Sequence, residues 1–242
     1  MIVLFTDFGL AGPYTGQLEA VLHDTAPGVP VVSLFADAPA GQPRPAAYLL
    51  AAYAAWFPAG TVLICVVDPG VGGARRPLII EADGRRYVGP DNGLFEPVLR
   101  RDAAPRCWEI TWRPPRLSVS FHGRDLFAPV AGRLARGDTA SALAAPVDPV
   151  RHPEWADDLA EIVYIDHYGN ALTGLRGDCL PENARLVAGG RAIGHATTFS
   201  AAAPGEPFWY VNSNGLIEVA VNGGRADRAL GLAVGSEVSP RP

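Results

Sequence analysis

Residues 66–76 of the chain read VVDPGVGGARR. The stretch continues an apolar run over 61–67, and a short β-branched run of this kind between turn signals predicts a buried strand. Pro69 cannot continue a central strand, and the glycines behind it allow the backbone to turn sharply. We therefore expect Asp68 to lie at the carboxyl end of a buried strand, with Arg75 and Arg76 behind it on a short loop.

Taken alone, this loop has two interpretations, a turn closed by a surface ion pair or part of a functional site. Four more apolar runs end in the same way, in a polar cluster that contains glycine. The runs cover residues 1–5, 87–88, 117–121 and 162–165. In open α/β sheets ligands bind beyond the carboxyl ends of the strands. The repetition therefore favours a site built from several strand ends.

Five motifs occur in order along the chain and carry a family resemblance. They are TDFG at 6–9, DPGVG at 68–72, PDNGL at 90–94, FHGRD at 121–125 and NSNG at 212–215. Together they resemble the S-adenosylmethionine hydroxide adenosyltransferase family, whose members hydrolyse S-adenosylmethionine to adenosine and are related to enzymes that fluorinate or chlorinate it. The resemblance covers about residues 2–224. It implies an α/β N-terminal domain and a β-rich C-terminal domain.

Composition bounds the class of protein. The 242 residues suit one large or two modest domains. A formal net charge of −5 argues against nucleic acid as the main partner. The chain has no lysine, which excludes a Schiff-base or phosphate-loop lysine.

Cysteine usage and hydropathy bear on location. Three scattered cysteines without a Cys-x-x-Cys pair indicate reduced thiols and a cytoplasmic protein. The first five apolar residues are too few for a signal peptide, and the apolar stretch 46–57 is too short to span a membrane.

Periodicity along the chain predicts a layered α/β domain over 1–145 and a smaller all-β domain, barrel-like or a sandwich, over 157–242. In the first we expect strands at 2–5, 31–35, 61–67, 78–81 and 86–88, and helices at 14–25, 46–57, 94–101 and 128–136. Asp83-Gly84 predicts a tight hairpin. The proline-rich segment 144–154 is predicted to be a linker. In the second domain we expect strands at 161–165, 184–187, 191–194, 208–211, 216–221 and 237–239.

The resemblance implies a catalytic trio of Asp68, Arg75 and His122. Water attacking the 5′-carbon of S-adenosylmethionine releases methionine as a neutral thioether, so a general acid is not needed. A guanidinium can stabilise the developing hydroxide, while a carboxylate or imidazole takes the proton. Arg76 is the alternative to Arg75, whose spacing from Asp68 matches the family. His122 can instead be a histidine satisfied within a turn.

The two charged residues that follow His122 in its motif are expected to have a structural role. Arg124 and Asp125 are expected to pair with each other and hold the loop. The spacing of histidines, cysteines and carboxylates suggests no metal site, and no cofactor is expected besides the substrate.

Other residues are candidates for substrate binding. Asp7 can accept the ribose hydroxyls or can cap a helix or turn. Asp91 and Asn92 can belong to the site or can structure their loop. In the second domain Tyr168 can stack on a base, and Asn170 offers a donor and an acceptor to an adenine edge.

For the adenine and methionine ends of the substrate, the resemblance implies Asp166, Asn170 and Ser213. Glu218 and the backbone at Val221 are added from the strand that follows. The resemblance also implies a homotrimer with sites between subunits, with no nucleic acid or membrane partner.

The chain departs from the family pattern at several positions. Residues 33–36 read SLFA where relatives usually have Asp-x-(Ser/Thr)-His, and Gln42 and Gly12 replace common acidic residues. Asn214 stands where the halogenating relatives have an arginine. This leaves the partner of the methionine carboxylate open. The alternatives to a hydrolase are a halogenase of the same superfamily and a non-catalytic nucleoside or S-adenosylmethionine binding module. The joint presence of the trio favours hydrolysis.

Overall fold

The computed structural model describes residues 1–241, which form two compact units. The first comprises Met1–Leu50 and Phe57–His152, and the second comprises Ala51–Trp56 and the chain from Pro153 onward. Each unit contains a seven-stranded sheet. The predicted fold class, an α/β domain followed by a barrel-like β domain, is confirmed. The units differ from the predicted domain ranges because 146–152 belongs to the first and 51–56 to the second.

The first unit is a mixed sheet with strand order β2-β1-β3-β5-β4-β6-β7. Strands β2, β1, β3 and β5 are parallel, whereas β4, β6 and β7 run antiparallel to their neighbours. The strands are β1 (Ile2–Thr6), β2 (Val31–Phe35), β3 (Val62–Val66), β4 (Pro77–Ala82), β5 (Arg85–Pro90), β6 (Arg106–Ile110) and β7 (Ala144–Pro146). The helices are α1 (Tyr14–Thr25), α2 (Pro43–Ala54), α3 (Glu96–Arg101) and α4 (Ala128–Ala135).

The core of the first unit follows from its apolar runs. Every residue of β1 and β3 is buried, which is typical of parallel strands covered on both faces. On one face, apolar side chains of α1 and α4 such as Leu18, Leu22 and Val130 pack against the sheet. The packed interior therefore fixes the ends of these strands, and the loops that follow begin at defined positions.

The hairpin at Asp83-Gly84 is confirmed. Both residues have positive φ, 50° and 71°, which a two-residue turn with the twist of its strands requires. It joins β4 and β5 and thereby reverses the sheet from parallel to antiparallel.

Two predictions for the first unit are wrong in detail, and two strands were missed. Helix α2 begins at Pro43, inside the predicted loop, because the first turn of a helix needs no backbone N–H from proline. The run 117–121 is not a strand, and two of its apolar residues, Leu117 and Val119, are exposed. Strands β6 and β7 were not predicted, since both are short and partly exposed.

The predicted linker is in part a docked segment. Glu96 is 1% exposed and accepts bonds from Arg100 Nε at 2.8 Å, Arg151 Nε at 2.9 Å and the His152 N–H at 3.0 Å. Burial acts to raise the pKa of Glu96, but these donors outweigh it and lower the pKa to about 2. The carboxylate therefore fixes 151–152 to the first unit, and β7 pairs with β6 just before it.

The second unit is a sheet with strand order β14-β10-β11-β12-β13-β9-β8, and a bridge between Glu161 and Glu237 brings its two edges together. It is therefore a nearly closed barrel around a core that includes Trp209 and Ile217. Its strands are β8 (Leu159–Ile165), β9 (Ala171–Arg176), β10 (Arg185–Ala188), β11 (Arg191–His195), β12 (Pro207–Val211), β13 (Leu216–Val221) and β14 (Val238–Arg241), with a short helix α5 (Ala226–Leu230).

All six strands predicted here are present, and β9 and α5 were missed. Gly174 interrupts the apolar pattern of β9, and the glycine is needed because a Cβ there would lie 2.6 Å from the Cβ of Leu159 on β8. None of the helices in residues 1–241 is long and apolar enough to cross a bilayer.

We predict that Gly89→Ala destabilises the protein. Gly89 lies in β5, and a Cβ there would overlap the carbonyl oxygen of Cys65 and lie 2.9 Å from Cζ of Phe95. We expect the free energy of unfolding to fall by about 3 kcal/mol, as in overpacked cores, measured by urea denaturation.

The matched control for this change is Gly16→Ala. A Cβ on Gly16 in α1 meets no atom within 4 Å beyond its neighbours and its own helix backbone. Its stability should rise by about 0.5 kcal/mol, because alanine restricts the unfolded chain. Equal changes in the two variants would contradict the packing described for β5.

Candidate functional site

The carboxyl ends of two adjacent parallel strands carry the first carboxylates of the site. Asp7 follows β1 directly, and Asp68 lies two residues beyond β3. The N–H of Asp7 donates to the carbonyl of Val66 at 3.2 Å, which ties the two strand ends together. The predicted position of both residues at one edge of the sheet is thus what the structure shows.

Arg75 stands between Asp68 and His122. Its Nε donates to Asp68 Oδ1 and Oδ2 at 3.1 and 2.9 Å, and its Nη2 donates to Oδ2 at 2.5 Å. Nη2 also lies 2.9 Å from Nδ1 of His122. The side chains of Asp68 and Arg75 are 4% and 9% exposed. The 68–76 loop therefore folds back to form an ion pair that is shielded from water and extends to the imidazole.

The chemistry of Arg75 fixes the state of His122. A guanidinium only donates, so Nδ1 of the imidazole accepts, and in the neutral ring the proton is on Nε2. Burial, followed by the charge of Arg75, lowers the pKa of His122 below its ordinary value of 6.5. The ring is therefore neutral at pH 7. Phe127 lies under the guanidinium, with Cζ of Arg75 5.4 Å from the ring centre.

His122 begins a π-helical turn, Gly123–Phe127, that leads into α4. Such turns occur often at functional sites. Arg124 and Asp125 pair with each other at 2.6 Å, as predicted, and Asp125 Oδ2 also accepts the N–H of Ser118 at 2.8 Å. These bonds hold the segment that carries His122.

Arg76, Asp91 and Asn92 bond to residues outside the Asp68–Arg75–His122 arrangement. Arg76 does not bind Asp68, because its Nε donates to Asp91 Oδ2 at 2.9 Å. Asp91 Oδ1 accepts the N–H of Val150, and Asn92 Nδ2 donates to the carbonyl of Val67 at 2.9 Å. Asp91 and Asn92 therefore structure their loops, and Asn92 supports the residue that precedes Asp68.

Asp7 does not cap α1, whose N-cap position is Pro13. Its Oδ2 accepts the N–H of Gly41 at 2.8 Å. Burial raises the pKa of Asp7, with a further contribution from the charge of Asp68, and the bond from Gly41 opposes it. The departures at 33–35 lie on β2, and Ala36 and Gln42 lie on the segment after it, which also contains the Gly41 N–H that bonds Asp7.

In the second unit a cavity of about 780 Å³ contains the remaining candidates. All six residues predicted for substrate binding in this unit line it, namely Asp166, Tyr168, Asn170, Ser213, Glu218 and Val221. The structure thus brings together residues from three separate parts of the sequence.

Asp166 and Asn170 form one turn at the end of β8. Asp166 accepts the Asn170 N–H through Oδ1 at 2.8 Å and its Nδ2 through Oδ2 at 3.0 Å. One N–H of the Asn170 amide is therefore used inside the protein, and no described residue bonds its Oδ1 or its second N–H, so both can face a ligand. Tyr168, at the tip of the turn, is 73% exposed.

Sequence reasoning missed several residues of this cavity. Among them are Tyr53, Phe199, Tyr210, Asn212 and Asn214. Tyr210 and Glu218 lie opposite each other in the β12–β13 pair, so a hairpin register drawn around the NSNG motif would have placed Tyr210 in the site.

The chain is similar to known proteins over almost its whole length. The family model of the SAM hydroxide adenosyltransferase N-terminal domain matches residues 2–144, and that of the C-terminal domain matches residues 160–239. An (R)-S-adenosyl-L-methionine hydrolase of Salinispora arenicola is 39% identical over 249 residues, covering 96% of this chain and 94% of the relative. A protein of the same name from Thermus thermophilus is 39% identical over 257 residues, covering 98% of each chain.

Solved structures show the same fold. The crystal structure of an uncharacterized conserved protein from Thermotoga maritima superposes with a TM-score of 0.91 and 27% identity, over 100% of both chains. With both family models matched, and with relatives 39% identical over nearly all of its length, the chain belongs to the SAM hydroxide adenosyltransferase family.

Proposed function

We propose that this protein hydrolyses S-adenosyl-L-methionine to adenosine and L-methionine through attack of water on the ribose 5′-carbon. The observation that carries the proposal is the shielded Asp68–Arg75–His122 arrangement, a cationic donor between an anion and a neutral imidazole. The relatives named above are hydrolases of the (R) epimer at the sulfonium sulfur, and we extend the proposal to that epimer.

The protein has to supply a nucleophile, because methionine leaves as a neutral thioether without protonation. Among the described residues, none accepts a bond from Arg75 Nη1, so its N–H groups can hold a water. A fixed cation beside that water stabilises the hydroxide that develops in the transition state. The reaction also destroys charge, since hydroxide and sulfonium combine, and a dry site favours this step. No cofactor or metal enters this scheme.

The tautomer of His122 indicates which group takes the proton. Its Nδ1 is engaged by Arg75 and its Nε2 carries hydrogen, so neutral His122 can donate to the water but not accept from it. Asp68 retains lone pairs beyond those used by Arg75. We therefore assign Asp68 as the proton acceptor and Arg75 with His122 as the groups that orient the water.

Binding roles divide between the units. Asp7 is assigned to the ribose hydroxyls, and the cavity of the second unit to adenine and the methionine end. There Tyr168 stacks on the base, Asn170 bonds its edge, and Asp166, Ser213, Glu218 and the Val221 backbone contact the remainder.

The assembly we propose is a homotrimer in the cytoplasm, in which one subunit's first unit completes the site with a neighbour's second unit. A cyclic head-to-tail arrangement forms each site in the same way.

The first prediction concerns the products. Incubation with each sulfonium epimer in heavy-oxygen water should yield adenosine labelled in its 5′-hydroxyl and methionine, with the (R) epimer consumed at least about 10-fold faster. Mass spectrometry after chromatography measures both. Unlabelled adenosine would contradict water attack, a 5′-halo product would indicate the halogenase, and tight binding without turnover would indicate the binding module.

The second prediction is that Arg75→Ala lowers kcat at least about 100-fold while the dissociation constant changes less than about 3-fold. The guanidinium acts on the developing hydroxide, which exists only in the transition state. Steady-state rates and calorimetry of binding separate the two effects.

Two variants serve as controls for Arg75. Arg76→Ala removes the neighbouring arginine, which binds Asp91, and should change kcat of the folded protein by less than about 3-fold. Asp7→Ala should chiefly raise the dissociation constant. Equal losses of rate and affinity in Arg75→Ala would make Arg75 a binding residue.

The third prediction tests the shared site. Asp68→Ala and Ser213→Ala chains, each inactive alone, are mixed one to one and allowed to exchange, which native mass spectrometry monitors. If sites form between subunits, about a quarter of them combine two unmutated halves, and activity per site should recover to about a quarter of the original. A mixture that exchanges and stays inactive, or a fully active monomer, would contradict the trimer with shared sites.

A further inference from the structure

The cavity of the second unit contains a buried carboxylate whose two oxygens are both held by the protein. We infer that Tyr210 and Asn212 are positioning residues that fix Glu218 as an anion beside Asp166, and that the cavity thereby selects ligands with a positively charged amine and does not require a carboxylate. This inference rests on the proposed function for the nucleoside part of the ligand.

The hydrogen bonds give the position of Glu218. The Tyr210 hydroxyl donates to Oε1 at 2.6 Å, and Asn212 Nδ2 donates to Oε2 at 2.8 Å. Tyr210 lies directly opposite Glu218 in the β12–β13 pair, so strand register sets the first bond. Glu218 is 5% exposed. Two donors on separate oxygens hold the carboxylate plane in one orientation and favour its ionised form.

The two donors are themselves fixed. The ring of Tyr210 packs against Phe199 and Phe208, with centroids 5.6 and 5.7 Å away. Oδ1 of Asn212 accepts the N–H groups of Asn214 and Leu216 at 2.9 and 3.1 Å. Because Oδ1 takes these two donors, the amide can only direct Nδ2 at Glu218.

The charge inside the cavity is negative. Asp166 and Glu218 both line it, and none of the described lining residues has a cationic side chain. Arg225 is close enough to interact with Asp166, but its guanidinium is paired with both oxygens of Asp227 at 3.0 and 2.8 Å. Burying carboxylates without a cation costs free energy, and a cationic ligand removes that cost.

The bonds from Tyr210 and Asn212 counter the effect of burial on the ionisation of Glu218. Burial raises the pKa of Glu218, and Asp166 adds to the effect, while the bonds from Tyr210 and Asn212 oppose it. Burial, then Glu218 and Asp166, raise the pKa of Tyr53 to about 12, so its hydroxyl stays protonated. Among the described residues, the groups that act on Glu218 are thus one further carboxylate and neutral donors.

The ligand class follows from these contacts. The α-amine at the methionine end of the substrate is attracted by Asp166 and Glu218, whereas the α-carboxylate at that end is repelled by them. The polar side chains of Ser213 and Asn214 that line the cavity are neutral. A decarboxylated ligand keeps the attraction and loses the repulsion, so adenosyl compounds with a plain aminopropyl side chain should be accepted.

The test uses three thioether ligands that share the nucleoside: 5′-methylthioadenosine without an amine, S-adenosylhomocysteine with amine and carboxylate, and decarboxylated S-adenosylhomocysteine with the amine alone. Their neutral sulfur is a poor leaving group, so calorimetry measures binding without turnover. We expect the decarboxylated ligand to bind at least as tightly as S-adenosylhomocysteine, and both to bind more tightly than 5′-methylthioadenosine.

The variants separate positioning from packing. Tyr210→Phe keeps the ring and should weaken both amine ligands about 10-fold while 5′-methylthioadenosine changes less than about 2-fold. Tyr164→Phe, the same change on β8 at a residue outside the cavity lining, should alter none of the three.

A pH series adds a readout of charge. Amine affinity should fall as pH drops through the pKa of Glu218, because protonation removes the anion. In Tyr210→Phe the fall should begin at a higher pH, because a bond that favours the ionised form is lost.

The outcomes distinguish this inference from the proposed function. Equal weakening of all three ligands by Tyr210→Phe, or a decarboxylated ligand that binds at least about 10-fold more weakly than S-adenosylhomocysteine, would overturn the inference while leaving hydrolysis intact. Charge-selective binding without hydrolysis would overturn the proposed function alone. No measurable binding of any ligand would overturn both.

Discussion

The buried ion pair between Asp68 and Arg75 is the interaction on which the rest of the first unit's site depends. Both side chains are almost fully shielded, and removing one partner of such a pair typically costs about 3–5 kcal/mol because the other charge is left buried. The pair therefore holds the 68–76 loop closed over the sheet. It also leaves the guanidinium oriented, with Nη2 on His122 and the ring of Phe127 beneath it.

Both units contribute carboxylates to the candidate site, Asp7 and Asp68 in the first and Asp166 and Glu218 in the second, and Arg75 pairs with Asp68. In the first unit the guanidinium of Arg75 lies between the carboxylate of Asp68 and a neutral imidazole. In the second, Asp166 and Glu218 line a cavity without a cationic side chain among its described lining residues. In the mechanism proposed above, an S-adenosyl ligand, positive at sulfur and amine, is attracted by the carboxylates of the second unit, while Arg75 of the first unit acts on the transition state.

Much of this arrangement was predictable, because local sequence carries it. The buried runs of β1 and β3 fix two strand ends, and Asp7 and Asp68 follow directly from them. Where the sequence failed, non-local pairing or exposure decided the structure. Strands β6 and β7 exist through pairing at one side of the sheet, and the apolar run 117–121 remains outside it. Tyr210 and Asn212 were missed because both act through contacts between β12 and β13. Tyr210 is paired with Glu218 across the strands, and Asn212 bonds Glu218 from the turn between them. Hydrophobic periodicity reports neither contact.

The contact between Arg75 and His122 depends on the close approach of two backbone segments, at Gly72 and Val119. Gly72 has φ 77°, and a Cβ there would overlap the carbonyl oxygen of Val119. The 68–76 loop can therefore lie directly on the segment that precedes His122, and a larger residue at 72 would push the two apart. The bond from Ser118 to Asp125 then holds that segment against the π-helical turn. The relative position of Arg75 and His122 thus depends on the absence of a side chain at Gly72. A glycine-rich loop can hold an arginine in place because it packs closely against the neighbouring segment.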